Sequence, residues 1–96
     1  MFSFGIVVDL EATCYDQKEK PPPGWQPEII EFPAVLVDLK SGKIIEEFHH
    51  FVQPTQTTEI SQFCRKFLHL GDRNFEDNQP LRVVIEKFCA WEPVIK

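Results

Sequence analysis

Basic residues are in short supply in this chain of 96 residues. It has ten lysines and arginines against fifteen aspartates and glutamates, which leaves a formal net charge of -5 at pH 7. Because contacts to phosphate dominate the affinity of proteins for nucleic acids, this charge argues against strong sequence-independent binding of nucleic acid. A polyanion would have to be held at a local site.

Long apolar runs and cysteines are scarce as well. The apolar runs at Gly5–Val8 and Ala34–Val37 are far too short to span a bilayer, and the first residues do not combine a basic start with a long apolar stretch. The three cysteines, Cys14, Cys64 and Cys89, are widely spaced, which favours free thiols in a reducing compartment over a zinc site or a disulfide framework. We therefore expect an intracellular protein, cytoplasmic or nuclear, without a membrane segment.

The residues that are abundant suit a small globular unit. Hydrophobic residues make up 43% of the chain and include nine phenylalanines, and the 26% of charged residues are interspersed among them. No change in composition marks a boundary, so we treat residues 1–96 as part of one domain. Within it, Asp16–Pro27 contains four prolines and a glycine, which predicts an exposed loop that carries Trp25.

The first half of the chain predicts three strands. Phe2–Leu10 is a β-branched apolar run that resembles a strand buried on both faces. Ile29–Leu39 and Ile44–Val52 predict a hairpin, because the turn residues 40–43 include a glycine. Pro33 lacks a backbone N–H group, so we expect a bulge or poor pairing there.

The second half predicts two helices. The first has an apolar face at i, i+3, i+4, i+7 and i+8, an N-cap at Thr57 or Thr58, and Gly71 past its end. The second begins near Pro80 and stops at Pro93. The two predicted apolar faces are Ile60, Phe63, Cys64, Phe67 and Leu68 in the first helix, and Leu81, Val84, Ile85, Phe88 and Cys89 in the second.

A pair of acids interrupts the first apolar run. Asp9 and Glu11 are two residues apart at the end of a strand, so their side chains share a face and can converge on one hard cation through oxygen ligands. About two such pairs are expected by chance among fifteen acids, so the spacing alone does not distinguish a metal site from a chance pair. The position at a strand end, where ligand sites gather in α/β sheets, favours a metal site.

Other residues with possible chemistry have simpler interpretations. His49 and His50 are adjacent on a strand and face opposite ways, and His69 ends a helix, so we interpret all three as surface residues. Trp25 could stack on a base, but an isolated loop aromatic is more often a packing anchor. The remaining interpretations are a solvated face for Arg65, Lys66 and Arg73, and core positions for Phe63, Phe67 and Phe88.

Several segments occur in a specific order along the chain. They are Val7–Cys14 (VVDLEATC), Glu28–Pro33 (EIIEFP), Phe51–Pro54 (FVQP), Ile60–Cys64 (ISQFC) and Phe88–Trp91 (FCAW). This ordered set resembles the DEDDh 3'-5' exonucleases, which are DnaQ-like. The similarity is closest to the eukaryotic branch typified by the enhanced-RNAi exoribonucleases, and it extends across nearly the whole chain.

The resemblance implies a fold and a site. The fold would be α/β and ribonuclease H-like, in truncated form, with a three-stranded antiparallel meander followed by two helices. Asp9 and Glu11 match the first two catalytic acids, which bind Mg²⁺ or Mn²⁺, with two ions in a complete site. Leu10, Ala12 and Thr13 become candidates for holding the terminal nucleotide, and Glu31 would support the ligands from the neighbouring strand. The substrate would be single-stranded or 3'-overhanging RNA, with DNA as an alternative.

The chain also departs from the family pattern. The family places a third acid on a later strand, and a histidine with a fourth acid on a late helix, and no counterpart of these occurs before Lys96. His49, His50 and His69 lie in the wrong part of the pattern to replace that histidine. The usual Leu-Thr-Gly-Ile segment, which helps to wedge the terminal bases, is replaced at Phe67–Asp72.

Two hypotheses remain after this comparison. In the first, the chain is the amino-terminal part of a single exonuclease domain and is inactive alone. In the second, it is a catalytically dead truncated form that binds protein or RNA, or associates with itself through an exposed sheet edge. A third interpretation, an unrelated binding domain with a chance acid pair, is the least favoured.

Overall fold

A long antiparallel hairpin forms the centre of the fold. The computed structural model describes residues 3–16, 18–57, 59–75 and 78–91. In it, strands β3 (Ile29–Asp38) and β4 (Ile44–Gln53) pair along most of their length, with Pro33 opposite His49 and Glu31 opposite Phe51. The turn between them is held by the Asp38 carboxylate, which accepts the backbone N–H groups of Lys40 and Ser41.

Two strands from the start of the chain pair with the other side of β3. These are β1 (Phe4–Val8) and β2 (Glu11–Ala12), which are separated by a short break. Both pair with β3 in antiparallel orientation. The three-stranded antiparallel meander that the sequence predicted is thus confirmed. A short strand, β5 (Gln79–Pro80), adds to β4 in parallel, so that the sheet order is β1-β3-β4-β5.

Two helices follow the meander, as predicted. They are α1 (Gln62–Phe67) and α2 (Leu81–Trp91), and α2 begins directly after Pro80. Pro93 and the expected end of the second helix lie outside the described residues. No helix in the described ranges is long and apolar enough to cross a membrane.

The core lies on one face of β3, because alternate side chains of a strand point to the same side. Ile30, Phe32, Ala34 and Leu36 are all buried, while the residues between them are half-buried. Two clusters form on this face, one around α1 and one around α2. The first consists of Ile30, Ile60, Cys64, Leu70 and Phe75, and the second of Phe32, Ala34, Phe48, Val52 and Val84.

The prediction that the first strand is buried on both faces was wrong. Phe2 lies outside the described residues, and the side chains of Phe4, Val7 and Val8 are 47%, 57% and 41% exposed. Among the described strands β1 pairs only with β3, so its other edge has no neighbour there. An apolar strand at a sheet edge remains exposed however well its sequence suits a buried position.

The bulge expected at Pro33 is not found in its pairing with β4, whereas the poor pairing that was the alternative occurs on the other side, where the break between β1 and β2 lies opposite Pro33. Pro33 pairs in register with His49, and the irregularity between β3 and β4 lies instead between Leu36 and Val37. The Pro33 carbonyl accepts the Asp9 N–H group, which shows that its backbone polar groups point towards the β1 side. The missing N–H group therefore faces the break between β1 and β2 and not β4, so the pairing of Pro33 with His49 stays in register.

The first helix is shorter than predicted and begins at a different cap. Ser61, not Thr57, is the N-cap, and its hydroxyl accepts the Cys64 N–H group at 3.0 Å; Thr58 lies outside the described residues. Phe67, which we predicted to be core, ends the helix with 65% of its side chain exposed, although it stacks on the half-buried Phe63. Phe88 packs against the cluster around α2.

Candidate functional site

The structure places Asp9 and Glu11 at the break between β1 and β2. Glu11 lies directly across from Glu31 on β3, and the Asp9 N–H group bonds to the carbonyl of Pro33 at 3.3 Å. Because Glu31 and Pro33 are two residues apart on one strand, their partners share a face of the sheet. Asp9 is exposed and Glu11 half-buried, so both carboxylates project from one accessible surface.

Glu31 has a partner that sequence reasoning missed. The His49 Nε2 atom lies 2.6 Å from the Glu31 carboxylate, and His49 is opposite Pro33, so it shares the face of the two acids. The interpretation of His49 as an ordinary surface residue was therefore incomplete. The contact could have been predicted from the position of the hairpin turn. A turn at residues 40–43 sets the strand register and brings position 49 next to position 33, to within about one residue.

An aromatic ring continues this surface away from the acids. Phe51 lies opposite Glu31, and its ring contacts the His49 ring edge to face at a centroid distance of 4.9 Å. The Arg73 guanidinium lies 4.1 Å from the centre of the Phe51 ring, within the range of a cation–π interaction. Arg73 thus has a defined contact beside the acid-bearing face, which the prediction of a merely solvated residue did not include.

The three residues expected to hold a nucleotide differ in accessibility. Leu10 is 42% exposed, whereas Ala12 is half-buried. Thr13 is 3% exposed, its Oγ1 accepts the Glu28 N–H group at 2.9 Å, and its own N–H group donates to the Glu28 carbonyl at 2.8 Å. Thr13 therefore connects the chain after β2 to Glu28, the residue before β3, through hydrogen bonds. Of the three residues, Leu10 is the most accessible.

The Glu28 carboxylate organises the connection between β4 and α1. It accepts the backbone N–H groups of Thr55, Gln56 and Thr57, and also the Thr55 hydroxyl. Burial by itself raises the pKa of Glu28, but the Thr57 side chain and these backbone donors outweigh that effect and leave the pKa below its usual value. Glu28 is therefore a structural carboxylate, held as an anion.

The donor set suits a hard divalent cation but is incomplete. Carboxylate oxygens are the ligands that Mg²⁺ and Mn²⁺ prefer, and Asp9 and Glu11 present them on one face. No group of three or more histidine, cysteine, aspartate or glutamate residues within the described ranges is arranged to hold a metal ion. An ion held by Asp9 and Glu11 would have most of its coordination positions filled by water or by other groups.

The fold agrees with a comparison against protein families. The model of the exonuclease family matches residues 6–92, so the chain belongs to that family. Its fold is that of the ribonuclease H-like DEDDh exonuclease domains, a family that uses divalent metal ions. The nuclease domain of 3'hExo, a DEDDh family member bound to rAMP, superposes with a TM-score of 0.84 at 28% identity. That superposition covers 97% of this chain and 45% of the 3'hExo chain.

Curated relatives carry exonuclease names. The 3'-5' exonuclease Snipper of Drosophila melanogaster is 42% identical over 90 residues, which are 94% of this chain and 32% of that protein. ERI1 exoribonuclease 2 of Mus musculus is 36% identical over 91 residues, which are 95% of this chain and 13% of that protein. The chain therefore spans about a third or less of the length of these relatives.

Proposed function

We propose that this chain is the amino-terminal part of a single exonuclease domain that removes nucleotides from the 3' ends of RNA. The observation that carries the proposal is the shared face of Asp9 and Glu11 at the break between β1 and β2. The names of the relatives support it, since they include exoribonucleases. A solved structure of the 3'-end specific recognition of histone mRNA stem-loop by 3'-exonuclease supports it as well. That structure matches with a TM-score of 0.83 at 27% identity.

Asp9 and Glu11 are the proposed metal ligands. Divalent ions, Mg²⁺ or Mn²⁺ with two in a complete site, supply activation of water and neutralisation of charge at a scissile phosphate. Glu31, fixed by His49, lies across from Glu11 and keeps further negative charge beside the ligands. Leu10 lies between the two acids and is exposed, so it is positioned to contact a terminal nucleotide. Ala12 and Thr13 are proposed to help hold that nucleotide through their backbone groups.

A single-stranded or 3'-overhanging RNA is the proposed substrate, with DNA as an alternative. The net charge of -5 is consistent with capture at a local site rather than along a basic surface. Cytoplasm or nucleus is the proposed location, since both contain such substrates. The chain by itself is proposed to be inactive, because two carboxylates alone leave most coordination positions of a divalent ion to water and so give weak metal affinity.

A second candidate function follows from the exposed edge of β1. Phe4, Val7 and Val8 form an apolar strand edge that favours association with another chain or with itself. In this alternative the chain is a binding module for protein or RNA without hydrolysis. The acid pair would then be a remnant of the family site.

Incubation with a 5'-labelled oligoribonucleotide that has a 3' overhang, in Mg²⁺ or Mn²⁺, tests the first function. Asp9→Ala abolishes any shortening from the 3' end, because it removes one of two metal ligands, whereas Glu86→Ala, which changes an exposed acid on α2, leaves it unchanged. Shortening that persists in Asp9→Ala would exclude Asp9 from the site.

A measurement of metal binding covers the case in which the folded chain does not cleave. Mn²⁺ broadens the backbone amide resonances near residues 9–11 in the wild-type chain and not in Asp9→Ala, if the acid pair binds a cation. Broadening without cleavage is the result expected for an inactive amino-terminal part. Equal spectra with and without Mn²⁺ would leave only the binding-module function.

A further inference from the structure

The register of the sheet brings three acids together, yet they do not form one metal site. Glu11 lies directly across from Glu31, and the Asp9 N–H group bonds to the carbonyl of Pro33, two residues further along β3. Side chains directly opposite in an antiparallel pair have Cβ atoms about 5 Å apart, which is close enough for two carboxylates to share a cation. Within the described ranges, however, no three acids, histidines or cysteines surround a common metal position. The direction of the Glu31 side chain therefore needs a cause.

His49 supplies that cause from the other side of β3. Its Nε2 atom lies 2.6 Å from the Glu31 carboxylate. The two residues are diagonal neighbours, since His49 is opposite Pro33 and Glu31 is opposite Phe51, and long side chains reach across a diagonal. Because β2 and β4 lie on opposite sides of β3, this contact directs the Glu31 carboxylate towards β4 and away from Glu11.

Packing holds the His49 ring in place for this contact. The side chains of His49 and Glu31 are 46% and 23% exposed, and an exposed ion pair is weak by itself. The His49 ring, however, meets the Phe51 ring edge to face at a centroid distance of 4.9 Å. Phe51 in turn contacts the buried Phe75, and the Arg73 guanidinium covers it at 4.1 Å. The imidazole is thus supported by residues that follow α1 as well as by its own strand.

Turning Glu31 away from Glu11 has a chemical consequence for the proposed metal site. Two carboxylates directly opposite each other repel, and the contact with His49 relieves this repulsion without a bound ion. A catalytic ion has to keep coordination positions open, since it acts on a water and on the scissile phosphate. A third carboxylate on that ion would fill a position and cancel part of its charge.

We propose that His49 is a positioning residue that withholds Glu31 from the cation held by Asp9 and Glu11. It thereby keeps coordination positions of that cation open to water and substrate. The inference rests on the proposed function, because it takes the acid pair as the cation site. Removal of the imidazole releases Glu31, which then turns towards β2 and becomes a third ligand.

Binding of Mn²⁺ alone to the 96-residue chain, followed by the electron paramagnetic resonance signal of the free ion, tests the proposal. His49→Ala binds Mn²⁺ about fivefold more tightly than wild type, the effect of one more carboxylate beside a divalent ion in a solvated site. His49→Gln keeps an N–H donor for Glu31 and has the affinity of wild type. A merely structural role for His49 predicts the reverse, an affinity in His49→Ala that is weaker or unchanged.

Two further variants identify the released carboxylate as the cause of the gain. Combining His49→Ala with Glu31→Gln removes the gain, because the added ligand has lost its charge. His50→Ala deletes the neighbouring imidazole, which lies on the opposite face of β4, and leaves the affinity for Mn²⁺ unchanged. Affinity in His49→Ala that does not exceed that of wild type, or a gain that persists in the double variant, would overturn the proposal.

Asp9→Ala separates failure of this proposal from failure of the proposed function. If Asp9→Ala binds Mn²⁺ as tightly as wild type, or if neither wild type nor His49→Ala binds it at millimolar concentration, the acid pair is not the cation site and both proposals fail. If Asp9→Ala loses the binding while His49→Ala equals wild type, the role of His49 alone fails. Binding that is detected in His49→Ala and only weakly or not at all in wild type supports the withholding of Glu31.

Discussion

At the scale of single residues, His69 has a left-handed backbone conformation that is unfavourable for a residue with a side chain. After α1 the Leu70 N–H group bonds to the Arg65 carbonyl at 2.8 Å, and the His69 N–H group bonds to the Lys66 carbonyl at 3.3 Å. These two bonds form a Schellman motif, and Leu70 packs with Cys64 in the cluster around α1, as such motifs often require. The motif places His69 at a φ of 56°, in the left-handed region that glycine adopts most easily.

Replacing His69 by glycine should therefore stabilise the chain. His69→Gly relieves the left-handed strain, partly offset by the greater freedom of glycine in the unfolded chain, and raises the free energy of unfolding by about 0.5–1 kcal/mol. Urea denaturation at neutral pH measures the change. His69→Ala provides the control, because it removes the imidazole without relieving the backbone, and a gain of the same size in His69→Ala would contradict the explanation.

At the scale of elements, Glu28 connects three parts of the chain that are distant in sequence. Its backbone forms hydrogen bonds with Thr13 after β2, while its carboxylate accepts hydrogen bonds from the N–H groups of residues 55–57 before α1. Ser61 then caps the helix, and its hydroxyl also donates to the Cys14 carbonyl at 2.6 Å. The position of α1 against the sheet thus depends on a few polar side chains rather than on helix length.

Glu28→Gln should destabilise the chain in a pH-dependent manner. At pH 7 the loss of a charged acceptor for several N–H groups lowers the free energy of unfolding by about 2 kcal/mol. The folded-state pKa of Glu28 lies below its unfolded value, so this stabilisation is present above the usual glutamate pKa of about 4.3 and is lost as pH falls through the folded-state pKa.

Denaturation of wild type and Glu28→Gln at neutral and at acidic pH measures this dependence. The difference in unfolding free energy between the two should shrink as the pH is lowered. Glu59→Gln, an exposed acid on the same connection, should show little difference at either pH. If the difference in unfolding free energy between wild type and Glu28→Gln stays constant across this pH range, the negative charge of Glu28 is not the source of the stabilisation.

At the scale of the whole molecule, the shape and the exposed surface indicate an uncompleted unit. The radius of gyration is 15.8 Å and the principal extents are 47 × 24 × 24 Å, whereas a compact chain of this length has a radius of gyration of about 13 Å. The apolar edge of β1 contributes Phe4, Val7 and Val8 to the exposed surface. A sheet with such an edge gains stability by pairing with a further strand.

Concentration-dependent association is the expected consequence. Sedimentation velocity should show larger species as the concentration of the wild-type chain rises, and Val7→Lys should shift the chain towards monomer, because a charge on an edge strand opposes strand pairing. Ile85→Lys adds the same charge on an exposed position of α2 and should leave association unchanged. A wild-type chain that stays monomeric, or equal behaviour of the two variants, would show that the β1 edge is not the contact.

Much of this protein follows from the sequence alone. Alternating and continuous apolar runs predicted the meander, the apolar spacing predicted two helices, and the order of the motifs pointed to the exonuclease family. These features are local, because strand period, helix period and a turn with glycine depend on neighbouring residues. The placement of Asp9 and Glu11 on one face also follows from their spacing along an extended chain.

Only the tertiary structure decided how distant residues meet. The pair of Glu31 and His49 and the fastening of Glu28 to Thr13 and residues 55–57 depend on strand register and loop path. Burial was misjudged for the same reason: Phe67 and β1 have the composition of core segments, but exposure depends on which elements pack against them. Composition specifies what a segment can bury, and only the neighbours it meets in three dimensions determine what it does bury.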